Sequence, residues 1–189
     1  MRNRYQRGCS DSRKPSTRGA GWTWTAWVPV TSGDSLRPYK TTDGPAVVAL
    51  VVSAGMFSQD EAGFLAEGAL EGADDGAPCF VEDAEDGYGL ASVLYYRPEE
   101  AADRAYDLTM IAVRPDLQGG GRGAALMRYA EDDLRQRNQR LLIVRTSGTS
   151  QYAATRAFYR GLDYEEQSRV PDYWTDGDDL VLFTKRLTG

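Results

Sequence analysis

The stretch Ile111-Ala-Val-Arg-Pro-Asp-Leu-Gln-Gly-Gly-Gly-Arg-Gly-Ala124 decides the fold, because it joins a strand pattern to a helix pattern through a glycine run. Residues 105–113 alternate in polarity as a strand does, and residues 124–137 carry the apolar stripe of an amphipathic helix. Glycines at the start of a helix expose backbone N–H groups, and the helix dipole there favours anions. The run therefore predicts a phosphate site, although glycine content alone is equally typical of a flexible loop.

Two common phosphate motifs do not fit this run. A Walker A loop needs Gly-Lys followed by Ser or Thr, whereas Arg122 is followed by Gly123 and Ala124. A Rossmann fingerprint spaces its glycines G-x-G-x-x-G after the first strand of a parallel fold. Here the run lies two-thirds along the chain, after an antiparallel-looking meander. A different kind of phosphate site is therefore expected.

Outside this stretch the pattern predicts the order β-αα-βββ-α-β-α-ββ, and therefore a mixed sheet with helices on both faces. The predicted strands are 36–39, 79–81, 88–96, 105–113, 141–144, 164–170 and 180–187. The predicted helices are 42–54, 58–71, 124–137 and 151–161. Thr42 is the expected N-cap of the first helix, and Ser58 with Glu61 forms a capping box for the second. Asp86-Gly87 predicts a hairpin turn.

Composition excludes several kinds of chemistry. The 189 residues contain no histidine, so a Ser-His-Asp or Cys-His nucleophile system and a histidine-ligated metal site are excluded. The two cysteines, Cys9 and Cys79, cannot build a disulfide framework and indicate a reducing compartment. No apolar run approaches the roughly 20 residues that span a bilayer. We therefore expect a cytoplasmic location and no membrane partner.

Charge separates an N-terminal segment from the rest of the chain. Residues 1–20 carry six basic side chains against one acidic side chain, Asp11, although the formal net charge of the whole chain is −6. Residues 1–33 are predicted to be a disordered basic tail and an aromatic appendage around Trp22–Val30, and residues 34–189 one domain. The acidity of that domain argues against nucleic acid as a partner, because a duplex binder needs a basic face.

The glycine run and a second motif downstream resemble the GNAT superfamily of N-acetyltransferases. Gln118, Gly121 and Gly123 match that family's acetyl-CoA motif, in which Gln or Arg is followed by x-x-Gly-x-Gly. Ala157–Tyr164 is similar to the family's Phe-Tyr-x-x-x-Gly-Phe ending, with Asp163 where Gly is usual. The resemblance implies an α/β fold with a GNAT-like mixed, mostly antiparallel sheet. Helices flank both faces of such a sheet, and it is splayed between the fourth and fifth strands.

The resemblance also implies acetyl-CoA as the acyl-donor substrate and no metal. The residues that it implies for donor binding are Ile111, Ala112, Val113, Gln118, Gly119, Gly120, Gly121, Arg122, Gly123, Ala124, Tyr152 and Arg156. Arg156 is expected to reach a CoA phosphate, whereas Tyr152 stands where the family often has Asn. Tyr159 aligns with the tyrosine that commonly protonates the departing thiolate. Asp107 is the candidate base, because regular alternation places it on the strand face of Ile111.

These residues imply acetyl transfer to a primary amine by direct attack. The expected acceptor is a small molecule or a peptide, and its identity stays open, as does a homodimer. One alternative is a longer acyl-CoA or a hydroxyl acceptor. The other alternative is a non-catalytic CoA-binding module that retains the loop without turnover.

Overall fold

Seven strands form a single sheet in the part of the chain that the structure, a computed structural model, describes: residues 36–58, 61 and 78–187. The strands are β1 (Leu36–Pro38), β2 (Cys79–Asp83), β3 (Leu90–Pro98), β4 (Ala105–Val113), β5 (Leu141–Ser147), β6 (Glu165–Thr175) and β7 (Asp178–Arg186). The α-helices are α1 (Gly44–Ser53), α2 (Arg122–Gln136) and α3 (Ala153–Gly161). No helix within these residues is long and apolar enough to cross a membrane.

The strands lie in the order β1-β2-β3-β4-β5-β7-β6, and every neighbouring pair except β4–β5 is antiparallel. The mixed, mostly antiparallel sheet predicted from the sequence is therefore confirmed. The short strand β1 lies at the edge, where Pro38 leaves no ladder hydrogen bond unmade because proline has no N–H.

The β4–β5 pair opens partway along its length. The two strands pair in register from Ala105–Leu141 to Leu108–Val144 and no further. β4 continues to Val113, and β5 continues to Ser147. The second half of β4 therefore turns an unpaired backbone edge towards a gap, which agrees with the predicted splay between strands four and five.

Helices cover both faces of the sheet, and each face has its own apolar core. On the first, which we call the α1 face, helix α1 packs against β2, β3 and β4 through Val47, Leu50, Val51, Val81, Val93, Met110 and Ala112. On the second, the α2 face, helices α2 and α3 pack through Leu94, Leu108, Leu126, Met127, Leu134, Tyr159 and Phe183. Burial on both faces fixes the register of β4, because a slip of one residue would exchange its two sets of side chains.

A β-bulge interrupts the alternation of β4. On β3 the consecutive residues Tyr95 and Tyr96 pair with Met110 and Leu108, so Thr109 is the extra residue. Leu108 packs on the α2 face and Met110 on the α1 face, but Ile111 returns to the α2 face. Asp107 precedes Leu108 and therefore points towards the α1 face. The expectation that Asp107 shares a strand face with Ile111 is wrong, because the bulge reverses the parity between them.

Two predicted element ends are also wrong. Thr42 is not the N-cap of α1; it lies inside a 3-10 turn, Thr41–Asp43, and Asp43 is the residue that precedes the helix. The Asp43 carboxylate accepts a hydrogen bond from the Lys40 N–H (2.8 Å) and pairs with Arg37 (2.7 Å), which holds the turn on β1. β6 does not end near Val170 but continues to Thr175 through an irregular pairing with β7.

Other local predictions are confirmed. The Ser58 N–H donates to Glu61 Oε2 (2.9 Å) and the Glu61 N–H to Ser58 Oγ (3.4 Å), as a capping box requires. The β2–β3 hairpin turns at Asp86-Gly87, where Gly87 has a φ of +75°. Residues 1–33, with the aromatic segment Trp22–Val30, and the body of the predicted helix 58–71 lie outside the described residues.

Candidate functional site

The glycine run forms an open loop between β4 and α2. Gly119 and Gly121 have φ values of +79° and +84°, which β-carbon-bearing residues rarely adopt, and Gly121 is the N-cap residue of α2. No described atom lies within 4 Å of where a Cβ would stand on Gly119, Gly120 or Gly121. Gln118 fixes the start of the loop, because its Nε2 donates to the Val113 carbonyl at the end of β4 (2.9 Å).

The glycine loop and the first turn of α2 offer backbone N–H groups as hydrogen-bond donors to a ligand. The first backbone bond into α2 runs from the Ala125 N–H to the Gly121 carbonyl (3.0 Å). The N–H groups of residues 121–124 precede this bond, and the first turn of a helix offers them no partner. At Gly123 an added Cβ would meet the Phe158 ring at 3.4 Å, so glycine permits close packing of α2 against α3. The geometry suits a diphosphate at the positive end of the helix dipole.

Arg122 does not point its side chain into this loop. Its Nη1 pairs with Oε1 of Glu82, a residue of β2 that is only 3% exposed, and Ser92 Oγ donates to the other carboxylate oxygen (2.5 Å). The pair attaches the start of α2 to the sheet. Arg122 is therefore placed to contribute its backbone N–H to the candidate phosphate site, while its guanidinium has a positioning role that the sequence did not predict.

The splayed gap continues from this loop along β4. Ile111, Ala112 and Val113 pair with β3 on one side and do not pair with β5 on the other. Ala112 and Val113 are buried, whereas Ile111 is half-buried. This segment can pair its free backbone edge with an extended ligand arm, as the resemblance implies for the pantetheine of CoA.

Thr109 lies where the gap begins, and sequence reasoning missed it. Its Oγ1 is the one fully buried side-chain oxygen or nitrogen without a hydrogen-bond partner among the described residues. A buried hydroxyl without a partner costs about 1–3 kcal/mol, so its presence calls for an explanation. The Thr109 hydroxyl lies at one end of the unpaired half of β4, and the open glycine loop lies at the other end. Both features fit an acyl-CoA that extends from one end to the other. No motif in the sequence could reveal the hydroxyl, because its lack of a partner follows from the bulge.

Tyr159 and Arg156 are the two buried residues of α3 and lie on one face of it, as predicted, whereas Tyr152 lies in the 3-10 turn before the helix. Tyr159 is 4% exposed and packs edge-on against Phe158 and Tyr164. Burial raises the pKa of its phenol above the ordinary value, and no described residue bonds to its hydroxyl. The phenol is therefore a protonated donor across the physiological range.

Arg156 is 9% exposed, and its Nη1 donates to the carbonyls of Ser147 (2.7 Å) and Thr149 (2.8 Å). This arginine therefore holds the loop after β5, and its contact with a CoA phosphate stays a prediction. Tyr152 is half-buried and ends the 3-10 turn before α3.

Asp107 lies in a charged cavity on the α1 face. The cavity has a volume of about 320 Å³ and is lined by Arg97, Pro98, Glu99, Glu100, Asp107 and Arg145. Arg145 on β5 bridges two of the carboxylates: its Nη1 bonds to Asp107 and its Nη2 to Glu99 (2.6 Å). Burial raises the pKa of Asp107 above its ordinary value, although Arg145 and Arg97 oppose the shift. A carboxylate with a raised pKa is better matched to accepting a proton near neutral pH.

Comparison with known proteins assigns this arrangement to a family. The sequence profile described as "Acetyltransferase (GNAT) domain" matches residues 75–166, which include the loop and α3. A solved structure from Desulfovibrio desulfuricans, assigned to the GNAT family of acetyltransferases, is 29% identical. It superposes with a TM-score of 0.73 and covers 82% of this chain and 98% of its own. No curated protein sequence matches the chain.

Two more distant structures share the fold. The ribosomal-protein-S18-alanine N-acetyltransferase of Escherichia coli is 20% identical, with a TM-score of 0.67, and covers 82% of this chain and 95% of its own. A Salmonella typhimurium structure with its cofactor acetyl-CoA is 18% identical, with a TM-score of 0.62, and covers 84% of this chain and 96% of its own. The fold and the matched profile define an acyltransferase. Residues 75–166 are a GNAT acetyltransferase domain.

Proposed function

We propose that this acyltransferase moves an acetyl group from acetyl-CoA to a primary amine by direct attack. The observation that carries the proposal is the half-strand Thr109–Val113, which is unpaired towards β5 and has the open glycine loop at its far end. Acetyl-CoA would lie along this edge, with its diphosphate at Gly119–Ala124 and its thioester near Thr109. The reducing compartment that the cysteines indicate makes the cytoplasm part of the same proposal.

The donor end of the site would act mainly through backbone groups. N–H groups of residues 121–124 would bind the diphosphate, and the free edge of Ile111–Val113 would pair with the pantetheine arm. A backbone N–H of this edge would stabilise the oxyanion of the tetrahedral stage. The Thr109 hydroxyl would gain its missing partner in the thioester carbonyl by rotating about χ1, since a threonine hydroxyl and methyl can exchange positions.

Asp107 and Tyr159 would assist the attacking amine and the departing thiolate from opposite faces of the sheet. As the amine nitrogen forms its bond to the carbonyl carbon, Asp107 would accept the amine proton, directly or through water. The C–S bond then breaks and the electron pair leaves with sulfur. Tyr159, which packs on the α2 face, would donate to this thiolate, whose thiol has a pKa near 8.5. Because burial raises the pKa of Tyr159, its role is closer to hydrogen-bond donation than to full proton loss.

A single assay tests the reaction. The full chain is incubated with acetyl-CoA and a panel of primary amines and alcohols, and free CoA is measured. Release of CoA that depends on an amine, with the acetylated amine identified by mass, supports the proposal. Turnover with alcohols alone, or with a longer acyl-CoA in preference to acetyl-CoA, would favour the alternative acyltransferase. Binding of acetyl-CoA without any turnover would contradict the proposed reaction.

A further inference from the structure

Five charged side chains line the cavity on the α1 face, and ion pairs join three of them. Its lining carries the guanidinium groups of Arg97 and Arg145 and the carboxylates of Glu99, Glu100 and Asp107. Arg145 binds Asp107 and Glu99 with its two terminal nitrogens. Neither Arg97 nor Glu100 has a hydrogen bond or an ion pair among the described residues. Arg97 and Glu100 are therefore the two charged groups of the lining whose side chains are held by no hydrogen bond in the part of the chain that the structure describes, and both are exposed, although the charge of Arg97 also acts on Asp107.

Arg97 stands next to the candidate base. Arg97 of β3 and Asp107 of β4 are directly paired in the antiparallel register, and both point towards the α1 face. Cross-strand partners of this kind have Cβ atoms about 5 Å apart. Arg145 already occupies one side of the Asp107 carboxylate, so Arg97 keeps its donors for another group.

From this arrangement we propose that the acceptor amine carries a carboxylate, as an amino acid does; the inference rests on the proposed acetyl transfer. The carboxylate would bind Arg97, whose planar fork suits bidentate contact. The amino group would lie between Glu100 and Asp107, where Glu100 attracts the ammonium form and Asp107 takes the proton. A neutral or purely cationic amine would leave Arg97 without a partner beside the reacting nitrogen.

The test compares acceptors that differ only near the amine. CoA release is measured for phenylalanine, phenylalaninamide and phenethylamine, and for ornithine and putrescine, with wild-type protein and with Arg97→Gln. We expect kcat/KM to be higher for the carboxylate-bearing member of each set. In Arg97→Gln this preference should fall by about tenfold to a hundredfold, the loss of one charge-assisted hydrogen bond. Arg97→Lys keeps the positive charge but loses the planar guanidinium. Its preference for carboxylate-bearing acceptors should therefore lie between those of wild type and Arg97→Gln.

Arg128→Gln is the matched control, since Arg128 is an exposed arginine of α2, away from the cavity. It should keep the wild-type preference. An equal preference in wild type and Arg97→Gln, or turnover confined to amines without a carboxylate, would overturn this inference and leave the proposed acetyl transfer standing. Absence of turnover with every amine would overturn the proposed function, and this inference with it.

Discussion

Glu82 of β2 and Arg122 at the start of α2 form an ion pair in which the Glu82 side chain is 4% exposed and that of Arg122 19% exposed. The pair joins residues that lie 40 positions apart and fixes the helix end that carries the candidate diphosphate site. We therefore expect helix position and donor binding to be coupled through one buried carboxylate.

We expect Glu82→Gln to lower the unfolding free energy by about 1–3 kcal/mol, because Arg122 loses its counter-charge in a partly buried position. Acetyl-CoA should also bind more weakly, since the loop loses its attachment to β2. Urea denaturation and calorimetric titration measure the two effects. Glu166→Gln, which breaks pairs with Arg160 and Arg169 at exposed positions, should change the unfolding free energy by less than about 1 kcal/mol. Wild-type stability and affinity in Glu82→Gln would contradict the coupling.

Gly121→Val is expected to weaken acetyl-CoA binding by roughly tenfold or more, because strain of about 1–2 kcal/mol at φ +84° would be relieved by moving the loop. Gly121→Asn should be milder, since asparagine tolerates the left-handed region. Gly87→Val is the control: it introduces similar strain at φ +75° in the β2–β3 turn. It should destabilise the protein without changing the dissociation constant of acetyl-CoA. Equal affinities in all three variants would remove the loop from the donor site.

Thr109→Val should raise the unfolding free energy of the free protein by about 1 kcal/mol, because it removes a buried hydroxyl that has no partner. The same change should lower kcat and reduce the rise in Tm that acetyl-CoA produces. Thr109→Ser keeps the hydroxyl and should retain both. Thermal unfolding with and without acetyl-CoA measures the effect, and an undiminished ligand-induced shift in Thr109→Val would show that the hydroxyl does not contact the donor.

Tyr159→Phe should lower kcat by about 10²-fold and spare the dissociation constant of acetyl-CoA. Its stability should remain close to that of wild type, since no described residue bonds to the hydroxyl. Tyr129→Phe is a suitable comparison because Tyr129, although only partly buried, also packs on the α2 face. The test is steady-state kinetics: an unchanged kcat in Tyr159→Phe would show that Tyr159 does not act on the departing thiolate.

The acid limb of the pH–rate profile should belong to Asp107. Its carboxylate must be ionised to accept a proton, so kcat/KM should fall as the pH drops through its pKa. Burial raises that pKa, so the fall should begin above the ordinary aspartate value of about 3.9. Asp107→Asn should lower kcat/KM and flatten this limb. Asp83→Asn, at a carboxylate whose pKa is lowered by Arg37, should leave the limb in place.

The features that could be predicted from the sequence are those that depend on residues close to one another along the chain. The bounds of β4, the helix after the glycine run, the capping box and the Asp86-Gly87 turn follow from local periodicity and turn chemistry. The partners of Arg122, Arg145 and Arg156 could not be predicted, because they come from distant segments or from backbone carbonyls of a folded loop. Asp163 is an intermediate case: at the position where the family motif has glycine, it takes a left-handed φ of +63°, a conformation that glycine adopts readily. Aspartate visits that region more readily than most residues.

The bulge at Thr109 divides β4 into two halves, which in the proposed reaction would contact different substrates. Asp107, before the bulge, lines the charged cavity, and the backbone after it is unpaired towards β5 as far as the glycine loop. Changes at Asp107 or its neighbours in the cavity therefore leave the donor edge untouched. If the proposed reaction holds, such a chain could exchange one amine for another over evolutionary time while its dependence on the same activated acyl group stayed constant.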